Sequence, residues 1–239
     1  MAADTTSPKF GFDRYDRNAR LYPALIVMLP ALVSVAVWVP DLWHELAGLL
    51  PILIACGALY LISRYARFAG RRLEKRMVAR LGWPSTRLLR HRDEILSPRT
   101  TERYHAALRG KGFEMPTQLE EQADPRRADD CYADAATWLV GQTRSDEMLK
   151  NENISYGFWR NLVGLRFAGG MIAATSFVVD AGLALSRWPD RGTQTLAIAA
   201  VAAMSLIMLL PWIFRFNERI VQDAGEAYAL RLLKHCETL

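Results

Sequence analysis

Four apolar runs punctuate the chain: Leu21 to Val39, Leu46 to Ser63, Val163 to Leu185 and Thr195 to Phe214. Each is long enough to cross a bilayer core of ~30 Å at ~1.5 Å per residue. None alternates with the period of two that a barrel strand needs, so each is predicted to be a helix that satisfies its own backbone hydrogen bonds. The expected fold class is all-α, a polytopic membrane protein with four transmembrane helices and a helical cytoplasmic domain. The pattern divides the chain into a tail over 1–20, a transmembrane hairpin over 21–63, the helical domain over 64–161, a second hairpin over 162–214 and a C-terminal helix over 215–239.

Between the second and third runs the period changes. Ile62, Ala66, Ala69, Leu73, Met77 and Leu81 recur at three- and four-residue steps among seven Arg and Lys residues, so the second span is predicted to run on as one long basic helix. Gly82 followed by Pro84 is a stop signal, after which Ser85 or Thr86 can cap a short helix. Ser97-Pro98 opens another helix that Gly110 and Gly112 close. Thr117 with Glu120 fits a capping box, and Asp124-Pro125 starts a longer helix predicted to reach about Leu149. Beyond Trp212 an apolar stripe through Phe216, Ile220, Ala224, Ala227 and Leu230 predicts that the last span continues to about Cys236, free to pack on the basic helix or in an oligomeric bundle.

Charge fixes orientation. The N-terminal tail carries Lys9, Arg14, Arg17 and Arg20, the link from Pro40 to Glu45 has no Lys or Arg, and Arg64 to Asn161 holds 19 basic against 14 acidic residues. Both termini and the polar domain are therefore expected in the cytoplasm. The net charge of +5 then follows from topology, and no direct nucleic-acid contact is expected. Charge within the polar domain is lopsided: Arg64 to Lys111 is net +10 and Gly112 to Glu152 is net −6, halves able to pair within one chain or between copies. Cys56, Cys131 and Cys236 have no metal-ligand spacing, so neither a disulfide framework nor a zinc site is expected. The first span is too long for a signal-peptide core and is expected to be retained as an anchor, and the lack of a transit-peptide composition favours a bacterial inner membrane.

Several residues are candidates for chemistry. Asp180 is the one acid inside a span, either a pore-lining residue, which in a symmetric oligomer forms an acidic ring, or an outer interfacial residue bonded to water or Arg187. Arg87, Arg90 and Arg92 stand beside the Pro84 helix start, as an anion or partner site or as the basic rim of a structural turn. Gly157 and Gly164 can flex, while Arg160 and Arg166 can anchor at the interface. Gly169, Gly170, Ala173 and Ala174, with Ala199, Ala200 and Ala203, permit close helix approach. Asp129, Asp130 and Asp134 mimic a metal face but read more simply as a solvated helix face. His44, His91, His105 and His235 are scattered, no catalytic set emerges, and neither enzyme activity nor cofactor is expected.

The segments Gly82-Trp83-Pro84-Ser85-Thr86-Arg87-Leu88-Leu89-Arg90 and Glu152-Asn153-Ile154-Ser155-Tyr156-Gly157-Phe158-Trp159-Arg160-Asn161-Leu162 resemble an uncharacterised group of bacterial membrane proteins. In layout alone the chain also looks like the membrane-disrupting effectors of bacterial antiphage systems. The first resemblance carries no known activity; the layout implies an oligomeric effector or channel whose cytoplasmic helices sense a signal, an anionic small ligand or a protein partner, and alter permeability. The competing expectation is a non-conducting membrane scaffold that recruits a cytoplasmic partner.

Overall fold

The computed structural model describes residues 14–38, 49–189 and 192–239, and every regular element among them is helical. In chain order these are α1 (Arg14–Trp38), α2 (Leu49–Leu81), α3 (Pro84–Arg87), α4 (Pro98–Gly110), α5 (Gln118–Ala123), α6 (Pro125–Gln142), α7 (Glu147–Gly164), α8 (Arg166–Ser186), α9 (Thr193–Phe214) and α10 (Glu218–Leu233), followed by a 3₁₀ turn at Lys234–Glu237.

Three of these helices, α1, α8 and α9, are long and apolar enough to cross a membrane, where four spans were expected. They pack on one another as a bundle. The expected span from Leu46 to Ser63 begins outside the described residues. Its described part is the first half of α2, a 33-residue helix ~50 Å long. There Leu53, Ile54 and Leu61 are mostly exposed, whereas the second half buries Ala66, Leu73 and Met77. As the periodicity predicts, α2 continues unbroken into the basic segment. It ends at Gly82, whose φ of +85° suits glycine and whose N–H donates to the Val78 carbonyl at 2.8 Å.

Local capping chemistry sets most of the remaining starts. Ser97 Oγ accepts the Thr100 N–H at 3.2 Å, Thr117 and Glu120 form the reciprocal capping box, and Asp124 Oδ1 accepts the Arg127 N–H at 3.0 Å. Three expectations are corrected. The short helix α3 is preceded by extended Trp83 and opened by Pro84 itself, with neither Ser85 nor Thr86 as its cap. The helix from Pro125 stops at Gln142, and Asp146 caps a new one by accepting the Leu149 N–H. The last apolar helix ends at Phe214, because Asn217 Oδ1 takes the Arg219 N–H at 3.0 Å and restarts the chain as α10.

The polar domain has its own core of Leu88, Leu89, Leu108, Tyr132, Leu139 and Leu149, completed by Ala229, Leu232 and Leu233 of α10. The C-terminal helix thus packs within its own chain, but through Val221, Gly225, Ala229, Leu232 and Leu233; the expected stripe of Phe216, Ile220, Ala224, Ala227 and Leu230 is offset from that face, with Ala227 exposed. Val221 also meets Leu73 and Met77 of α2. In the apolar bundle Gly169 receives the Trp212 indole, with Ala173 in the same cluster. On α9 the buried positions are Thr195, Ile198, Val201, Ala202, Ser205 and Trp212, while Ala199, Ala200 and Ala203 face outward.

Candidate functional site

The two segments singled out in the sequence converge where the polar domain joins the apolar bundle. Pro23 explains how the junction begins. It has no N–H, so the Ala19 carbonyl one turn earlier loses its helical donor, and α1 widens into a π-type turn over Arg17–Leu21. Asn161 of α7, fully buried, supplies the replacement: its Nδ2 donates to the Ala19 carbonyl at 2.6 Å. Its Oδ1 has no partner among the described residues and presses on Gly70 of α2.

One turn along, Gly164 and Gly70 let α7 and α2 cross backbone to backbone. A Cβ on Gly164 would stand 2.6 Å from the Gly70 nitrogen. Gly157 is likewise a contact, lying against the Tyr15 hydroxyl and the Ala19 methyl. Of the two glycines expected to flex, Gly157 lies inside α7 and Gly164 is its last residue, directly before the irregular Leu165 that separates α7 from α8; both are in tight contacts.

A polar clasp lies on the domain side of this crossing. Glu74, an acid among the basic residues of α2, accepts from the Tyr156 hydroxyl at 2.9 Å and from Arg160 Nη1 at 2.8 Å. Burial, reinforced by the adjacent Glu74 carboxylate, raises the Tyr156 pKa, so its hydroxyl keeps the proton it donates. Burial alone would lower that of Arg160, but the bond and charge of Glu74 raise it, and the guanidinium stays charged. Above the clasp opens a cleft of about 440 Å³ between Trp83, Ser85, Thr137, Asn153, Tyr156 and Tyr228. Its size and its mix of aromatic walls with a few polar groups suit a small ligand or an inserted side chain.

The arginines expected to receive an anion meet carboxylates of their own chain. Arg87 pairs with Glu226 and, at 3.0 Å, with Asp93. Arg90 is bidentate on Asp129 at 2.7 and 2.9 Å, and Arg92 bridges Glu121 at 2.8 Å and Asp129 at 2.9 Å. The Arg90 and Arg92 contacts join the basic and acidic halves of the domain within one chain, while Arg87 ties the basic half to α10. Glu121 is the hub, accepting also from the His91 N–H and the Tyr132 hydroxyl, both at 2.8 Å. Burial would raise its pKa, but these hydrogen bonds and Arg92 together bring it below the usual value.

His105 is sealed beside this hub, stacked on Tyr132, edge-on to His91 and bonded through Nε2 to the Leu89 carbonyl at 2.7 Å. Its Nδ1 is buried with no hydrogen-bond partner among the described residues. Burial therefore depresses its pKa below 6.5; the Leu89 bond and Glu102 oppose that shift, and His91 and Arg109 add to it. The sign follows: above pH 6.5 the histidine is neutral in both states, and as pH falls below 6.5 the unfolded chain takes up the proton first, so stability declines. Thermal melts of the purified protein should show a midpoint that drops from pH 7 to pH 5.5, and His105→Gln should flatten that slope. A slope unchanged in His105→Gln would assign it to other groups.

At the far end of the bundle Asp180 is fully buried, accepting from Ser34 Oγ at 2.8 Å and Trp38 Nε1 at 2.7 Å, so α1 closes over the acid on α8. At the near end Arg166 donates to the Trp212 and Ile213 carbonyls at 2.9 and 3.0 Å, a cation on the negative C-terminus of α9. Glu74, Glu121, Asn161, Ser34 and Trp38 escaped the sequence reading. Only Glu74 carried a local signal, as a lone acid in a basic helix. Among the described residues no cluster of three His, Cys, Asp or Glu is arranged to hold a metal ion.

No family model, curated protein or solved structure matches this chain.

Proposed function

We propose that this chain is an integral membrane protein that anchors a cytoplasmic helical domain to the bacterial inner membrane and docks a partner there. In this reading both termini are cytoplasmic, and the partner is a protein segment that places a side chain in the junction cleft. One observation carries it: the polar domain is locked onto the apolar helices through Asn161, the Gly70–Gly164 crossing and the Glu74 clasp. Asp180, bonded on both oxygens inside the bundle, supports a resting state that conducts nothing.

A permeability effector is the second reading. The observation favouring it is the single irregular residue, Leu165, through which a shift of α7 reaches α8. In that case an oligomer releases Asp180 from Ser34 and Trp38 to open a path. A voltage-sensitive dye in cells expressing wild type or Asp180→Ala at matched levels separates the two. The scaffold predicts normal membrane potential for both proteins, together with a crosslinked cytoplasmic partner lost on Trp83→Ala. Depolarisation by wild type, altered in Asp180→Ala, would establish the effector instead.

A further inference from the structure

The carboxylates that occupy Arg87, Arg90, Arg92 and Arg160 leave another set of arginines without a counterion. Arg64, Arg67 and Arg71 follow one another at three- and four-residue steps, so they form a stripe along one face of α2. None of the three has an ion pair among the described residues. Arg67 of the stripe stands near Arg20 of α1, whose Nη1 is paired with Asp16 and whose Nε is buried with no hydrogen-bond partner among the described residues. Crowding by Arg20 first, and then by Arg71 and Arg64, lowers the Arg67 pKa, and Asp16 opposes this only in part. The one carboxylate acting on Arg67, that of Asp16, is already paired with Arg20.

Aromatic side chains continue the same surface. Tyr65 and Phe68, with ring centroids 6.3 Å apart, are both more than half exposed. At 100° per residue, Arg67, Arg71, Arg64, Phe68 and Tyr65 occupy about 160° of the helix, roughly opposite the buried Ala66, Leu73 and Met77. The patch starts at the first charged residue after the apolar run ending at Ser63, and Arg20 directly precedes the apolar run of α1. Cations with unmet charge, interleaved with exposed rings where apolar sequence ends, match an amphiphile whose phosphate meets arginine and whose acyl boundary meets the aromatics.

We infer that the face formed by Arg20, Arg64, Arg67, Arg71, Tyr65 and Phe68 binds the headgroup of an anionic phospholipid. The inference rests on the membrane reading above. A soluble phosphate compound shares the arginine chemistry, but it leaves Tyr65 and Phe68 without a role. Neutralising the stripe also removes the repulsion among its arginines, so lipid binding stabilises α1 against α2.

The test uses the purified full chain, with vesicles of phosphatidylglycerol or phosphatidylcholine, in binding and thermal-melt assays. Wild type should prefer phosphatidylglycerol, and the preference should weaken with salt. The variant Arg64→Gln/Arg67→Gln/Arg71→Gln should lose about a hundredfold of that preference, at a factor of roughly five per arginine. A charge-matched control, Arg99→Gln/Arg126→Gln/Arg144→Gln, should keep it. Arg67→Gln alone guards against misfolding: in detergent without lipid it should melt no lower than wild type, yet gain less from phosphatidylglycerol. Equal behaviour of the stripe and control variants would overturn the inference, as would inorganic phosphate reproducing the stabilisation. Recovery of the wild-type chain in the carbonate-soluble fraction would remove the membrane reading itself, a result independent of the arginines.

Discussion

Gly164→Val is expected to lower the melting midpoint of the purified protein by roughly 6 to 12 °C, the response to about 3 kcal/mol in a chain of this size. The added Cβ would lie 2.6 Å from the Gly70 nitrogen and 2.8 Å from the Ala69 carbonyl carbon, and both obstacles are backbone. A side chain can rotate away, but a helix axis must translate, and doing so pulls Asn161 from Ala19 and Arg160 from Glu74. Gly141→Ala gives the contrast. It is exposed near the end of α6 with nothing within 4 Å of a new Cβ, and gains up to ~1 kcal/mol from helix propensity. Equal midpoints for Gly164→Val and wild type would mean that α2 and α7 do not cross here.

Glu121→Ala is the second large effect, with a loss of ~3–5 kcal/mol on chemical denaturation. Its carboxylate is 3% exposed and satisfies the His91 N–H, the Tyr132 hydroxyl and Arg92 together. Removal leaves the buried Tyr132 hydroxyl and the part-buried His91 N–H facing a void. The share from Arg92 is smaller, since that side chain is 42% exposed and water replaces part of the pair. Glu121→Gln keeps an acceptor and should recover about half of the loss, whereas cavity formation alone predicts no recovery. If Glu121→Ala costs under 1 kcal/mol, Glu121 is not the hub of this domain.

The elements legible in the sequence were those governed by neighbours along the chain. Ser97, Thr117 and Asp124 start helices through bonds spanning three residues, and Gly82 ends one through its own φ. The break at residues 143–146 was hidden because Thr143-Arg144-Ser145-Asp146 contains neither Pro nor Gly to signal it. For the site, sequence identified Asp180 and Arg90 as unusual, but their partners lie far along the chain: Ser34 is 146 positions from Asp180, and Asp129 is 39 from Arg90. Gly157 and Gly164 show another limit of one-dimensional reading. A glycine marks either a bend or a close approach, and only the opposing helix decides which.

The absence of a helix break between Leu49 and Leu81 also determines what cannot be excised from this protein. A fragment of residues 64–161 would start midway along α2 and finish inside the last turn of α7, exposing severed turns at both ends. It would also lack Ala229, Leu232 and Leu233, which close its core from the C-terminal side of the bundle. The segment that looks like a soluble insert is therefore not an autonomous folding unit, and the chain is indivisible at its apolar-to-polar boundaries.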